Sequence, residues 1–71
     1  MNRKAYCEMM NAMQNMAQEN DYIIENVSIQ TRNRLFLVRI EDIKSMENSI
    51  LINTGDEVIA IPYISIEYIS I

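Results

Sequence analysis

Two hydrophobic periods run along this chain, and the change from one to the other divides it. Between residues 3 and about 19 the apolar positions Tyr6, Met9, Met10, Met13, Met16 and Ala17 recur at steps of three and four, while Lys4, Glu8, Asn11, Gln14, Asn15 and Gln18 take the opposite face. No Gly, Pro or β-branched residue interrupts that stretch, and Asn2 can cap its start. Asn20 and Asp21 are stop signals, Asn20 because its side chain tolerates the left-handed conformation that ends many helices. The pattern predicts one amphipathic helix of about four to five turns.

After Tyr22 the period becomes two. Val27, Ile29 and Thr31 alternate with Asn26, Ser28 and Gln30, as in a half-buried strand, and Arg32-Asn33-Arg34 supplies the turn, with Asn33 the residue best able to take positive φ. Residues 35–43 read as one longer, bent strand in which both faces are partly covered, because Leu35, Phe36, Leu37 and Val38 are all apolar. Ile50 to Ile52 form a third strand. Asn53-Thr54-Gly55-Asp56 is the clearest turn and holds the only Gly. Residues 57–61 form a fourth strand, Pro62-Tyr63 a kink that a proline imposes on the ladder, and residues 64–71 a fifth. The expected architecture is mainly β with one N-terminal α-helix, a five-stranded antiparallel small barrel of the SH3/Sm-like kind, in a single domain spanning residues 1–71: the helix at about 3–19 and the barrel at about 22–71.

Size sharpens this. A chain of 71 residues sits near the lower limit for a lone hydrophobic core, and small chains need staples or partners. Cys7 has no second cysteine to bridge to and there is no His, so neither disulfides nor the usual zinc ligands serve. An apolar content of 49% leaves more Ile than one small interior holds, which makes a homo-oligomer the expectation. The net charge of -4 disfavours a general electrostatic grip on nucleic acid but permits a local basic site. No run of about 18 apolar residues is present to span a bilayer and no leader pattern precedes the helix, so a cytoplasmic protein with a reduced thiol, without a membrane partner, is expected.

The closing stretch Val58-Ile59-Ala60-Ile61-Pro62-Tyr63-Ile64-Ser65-Ile66, an apolar strand, a short turn and another apolar strand after a leading helix, resembles the second motif of the Sm-like superfamily that includes bacterial Hfq. The resemblance covers about residues 3–71 in pattern. It implies a ring, a hexamer by preference, in which the fourth strand of one subunit pairs with the fifth of the next, with Val58, Ile59, Ile61, Ile64, Ile66 and Ile69 at the interface. It also marks a divergent member. Ile61 and Pro62 stand where Hfq carries a Lys-His pair that contacts RNA, and Arg39 stands where the first motif usually has Gly.

Chemistry is sparse. No base, metal set, Gly-rich phosphate loop or nucleophile-base pair is evident, so no enzyme activity, cofactor or metal is expected. Glu41-Asp42 and Asp56-Glu57 are adjacent carboxylates, which a strand sends to opposite faces. Arg32, Arg34 and Arg39 are three of the six basic residues and fall within one hairpin; guanidinium groups suit bidentate phosphate recognition and stacking on bases, and they also serve as solubilising charges paired with Glu41, Asp42 or Glu57. Tyr63, beside the kink, suits either a ligand-stacking role at a subunit junction or a packed position with its hydroxyl bonded. The expected function is a non-catalytic ring-forming binding module for RNA or a small phosphorylated nucleotide, of bacterial or phage type, with Arg32, Arg34, Arg39 and Tyr63 as ligand residues. The alternative is a small acidic protein-interaction module, an adaptor or inhibitor, with a protein partner and no nucleic-acid ligand.

Overall fold

The side chain of Asn2 accepts a hydrogen bond from the Ala5 amide at 2.8 Å and so satisfies one of the donors that a helix start leaves orphaned. The computed structural model describes all 71 residues, and its helix α1 spans Arg3–Glu19. At its other end the Tyr22 amide donates to the Ala17 carbonyl (2.8 Å) and the Asp21 amide to Gln18 (3.1 Å), the pair of bonds that defines a Schellman cap. Asp21, at φ 54°, takes the left-handed position expected for Asn20, whose own φ is -109°. Tyr6 and Ala17 are buried, and Met9, Met10 and Met13 pack half-buried on the core, but Met16 points away at 64% exposure.

Six strands follow: β1 (Asn26–Thr31), β2 (Leu35–Arg39), β3 (Ile43–Ser45), β4 (Ser49–Asn53), β5 (Val58–Pro62) and β6 (Ile66–Ser70). They form two three-stranded antiparallel sheets, in the orders β2-β1-β6 and β3-β4-β5. The closed five-stranded SH3/Sm-like barrel expected from the sequence is therefore corrected on two counts: there are six strands, and the two sheets do not close into a barrel. One physical reason lies at Ile40–Asp42, where a single 3-10 turn breaks the predicted long second strand into β2 and β3 and sends them to different sheets. The other lies at Tyr63–Ser65, where a second 3-10 turn follows Pro62 and carries the chain from an edge of one sheet to an edge of the other.

The core fills the space between the sheets and under the helix. In β1 and β2, pairing Val27 with Val38 and Ile29 with Phe36 places four buried side chains on one face, while Leu35 and Leu37 remain 50% and 76% exposed. The strand expected to be covered on both faces thus alternates cleanly. In β4, Ile50 and Ile52 are buried opposite Ile61 and Ile59 of β5. In β6 the inward residues Ile66 and Ile69 are three apart, a step that a flat strand forbids; a register shift between Gln30 and Thr31 of the partner β1 absorbs it. Asn33 does not take positive φ, whereas Gly55 does (φ 94°) and closes the β4–β5 turn, helped by the Asn53 side chain accepting from the Gly55 amide at 2.9 Å.

Candidate functional site

Of the ligand residues expected from the sequence, the structure brings Arg32 and Arg34 together and separates the other two from them. Both lie on the β1–β2 turn, exposed, and neither is in an ion pair. Thr31 pins the turn: its amide and hydroxyl both donate to the Arg34 carbonyl, at 2.8 and 3.0 Å. The Arg34 guanidinium lies over the Phe36 ring, 4.5 Å from its centroid, so a cation is held in a fixed place without a carboxylate to neutralise it. Phe36 is a residue that sequence reasoning missed here. Its signal was present, since positions two apart in extended chain share a face.

Arg39 ends β2 and is ion-paired with Glu41. Five residue steps of extended chain separate Arg34 from Arg39, which puts them on the order of 16 Å apart. Arg39 thus matches the solubilising-pair reading, and it borders a separate groove with Ile24, Glu25 and Glu41.

Tyr63 is 2% exposed and belongs to the core. Its hydroxyl donates to the Met46 carbonyl at 2.6 Å, its amide donates to the Asn48 carbonyl at 3.2 Å, and its ring meets that of Tyr6 with centroids 5.3 Å apart and planes tilted by 48°. The corner between β5 and β6 is in this way fastened to the β3–β4 loop and to the helix. A ring so enclosed is not presented for stacking on a base.

Burial also divides the six residues expected at a subunit interface. Ile61, Ile66 and Ile69 are buried within the chain's own core; Val58 and Ile64 are 66% and 86% exposed, and Ile59 lies between. Val58 opens β5 and Ile64 sits in the 3-10 turn between β5 and β6, and each of those strands has one free side, because β5 pairs only with β4 and β6 only with β1. Between these two edges and the arginine turn runs a groove of about 610 Å³, whose walls include Arg32, Asn33, Phe36, Ile59, Ile64 and Glu67. It holds a cation on one side, a carboxylate on another and aliphatic surface between, a combination that suits ligands with one charged end and an apolar body.

No three ligating side chains converge on a point where a metal would sit. Cys7 is half-buried and free. No helix is long and apolar enough to cross a membrane. The one group whose acidity the fold clearly changes is Tyr6: burial pushes its phenol up, a Ser45 interaction opposes this, and the neighbouring Tyr63 and Cys7 reinforce it. The raised group has a definite sign of effect. Stability is untouched below the ordinary phenol range near 10 and falls as pH rises through it toward the higher folded value, because the unfolded chain loses that proton first. Urea midpoints that decline above about pH 10, with a shallower decline in Tyr6→Phe, are the expected result; equal slopes in the two proteins would remove Tyr6 as the cause.

No protein-family model, curated protein or solved structure matches this chain, so the Sm-like resemblance rests on its residue pattern alone.

Proposed function

We propose that the chain is a non-catalytic, cytoplasmic binding module that associates with copies of itself through the outer edges of β5 and β6, and presents Arg32 and Arg34, once per copy, to the phosphate groups of RNA or a small nucleotide. The observation that carries this reading is the free edges of β5 and β6, two of the four edge strands and the two flanked by exposed Val58 and Ile64, in a chain whose own core is small. Unpaired edge amides and carbonyls are a template for another strand, and natural proteins usually blunt such edges with charge or cover them. Joining β5 of one copy to β6 of the next is consistent with a ring, six copies being the expectation from the Sm-like pattern, without any need for a closed barrel. Repetition would convert a two-arginine turn into a multivalent anion site.

The test has two parts. Native mass spectrometry at micromolar concentration should give multiples of 8.3 kDa, and a monomer would overturn the assembly. A labelled single-stranded oligoribonucleotide and a nucleoside triphosphate should then bind with an affinity that falls steeply with salt. Replacing Arg32 and Arg34 by Ala should weaken binding by roughly a hundredfold, about tenfold for each charge-assisted contact. Arg39→Ala should change it little, since that guanidinium is occupied by Glu41. Binding that survives loss of both turn arginines would show that they are not the contact.

A further inference from the structure

Away from the strand edges, the C-terminal end of α1 and the connector to β1 carry a second surface that the reading above does not use. The cap that ends the helix throws Tyr22 and Ile23 outward, to 58% and 80% exposure, on a connector where polar residues are the rule. With Gln14, Ala17, Gln18 and Ile24 they line a groove of about 330 Å³. That volume is at the low end for a ligand pocket and suits one or two anchoring side chains better than a free cofactor.

Charge decides what those anchors belong to. Glu19, Asp21 and Glu25 surround the groove in sequence, are exposed, and take part in no ion pair. From residue 5 to residue 31 the chain has no Lys or Arg, and Arg39, which lies across the neighbouring groove from Glu25, is already held by Glu41. The helix end adds negative partial charge of its own, and no basic residue stands in the last turn to offset it. Such a field repels nucleic acid and anionic lipid, and it favours cations. Exposed aliphatic and aromatic anchors inside a carboxylate rim are complementary to a segment with apolar side chains on one face and Lys or Arg on the other.

We propose that this surface docks a basic amphipathic segment of a protein partner, with Tyr22 and Ile23 receiving its apolar side chains and Glu19, Asp21 and Glu25 its cations. The partner is independent of the phosphorylated ligand, and the two surfaces use no residue in common.

A synthetic Leu/Lys amphipathic peptide titrated into the isotopically labelled full chain tests this. Amide shifts should concentrate in residues 14–25. Tyr22→Ser with Ile23→Ser should weaken binding at least tenfold while leaving the rest of the spectrum unchanged, as both side chains are exposed. Glu19→Gln, Asp21→Asn and Glu25→Gln together should weaken it comparably and flatten its salt dependence. A peptide with Lys replaced by Glu should not bind. Shifts spread over all the acidic surface, or unchanged affinity in the serine variant, would overturn the proposal by reducing the contact to general charge attraction. If the serine variant instead lowered the native mass, the occupant would be a second copy of this chain, and the basic partner would again be excluded.

Discussion

Ile64→Lys, or Val58→Glu, is expected to convert the proposed β5–β6 assembly to folded monomers of 8.3 kDa. Both side chains are exposed in the single chain, at 86% and 66%, so neither substitution disturbs the core. Both flank an unpaired edge, where a neighbouring strand would have to desolvate the new charge. The cost is about 2 kcal/mol or more per junction, roughly thirtyfold in each association step. A ring contains several such junctions, and it fails well before any one of them is abolished. Ile69→Lys, at a position that the apolar pattern places at the interface, is expected to behave differently. Ile69 is 8% exposed and packs in the core, so the variant loses the fold rather than the assembly. Native mass read alongside near-ultraviolet circular dichroism distinguishes the cases, and an Ile64→Lys protein that remains assembled would remove the β5–β6 edges as the interface.

Tyr63→Ala is expected to bring the chain to the margin of unfolding. Removing a buried aromatic ring costs about 3–5 kcal/mol, and a domain of this length has only about 4–10 kcal/mol to lose. The ring is packed against Tyr6, and its hydroxyl closes the β5–β6 corner onto the Met46 carbonyl. Tyr63→Phe keeps the first contact and gives up the second. Its expected cost is about 1 kcal/mol, the ordinary net worth of one hydrogen bond, here made to the carbonyl of Met46, a residue that is 40% exposed. Urea unfolding of the two variants measures both figures. A small loss in Tyr63→Ala would mean that the residue is an exposed contact after all, as in its ligand-stacking reading.

The parts of this molecule legible beforehand are those set by neighbours in sequence. The helix was marked by its period and by Asn2, and the β4–β5 turn by the only Gly. Val27 and Ile29 were read as the inward face of the first strand from their alternation alone. Legibility failed where a short apolar run gave no period to read. Residues 35–43 and 64–71 looked continuous, yet each contains or follows a 3-10 turn that no turn residue announces except Pro62. The candidate site divided in the same way. Two arginines beside one turn residue had to lie close together, but the partner of Arg39 and the burial of Tyr63 depend on chain that comes later or lies across the fold.

Sequence by itself determined the helix, the turns, the spacing of Arg32 and Arg34, and the surplus of aliphatic residues, because these follow from local backbone preference and from composition. Only the tertiary structure decided which aliphatic residues are surplus. Ile61, Ile66 and Ile69 are consumed by the core while Val58 and Ile64 are left outside, although all five are aliphatic residues in one closing run. The deciding events are a bulge at Glu67 of β6, opposite the Gln30–Thr31 step of β1, and a 3-10 turn after Pro62; they set the face each side chain takes and put β5 and β6 at the edges of separate sheets.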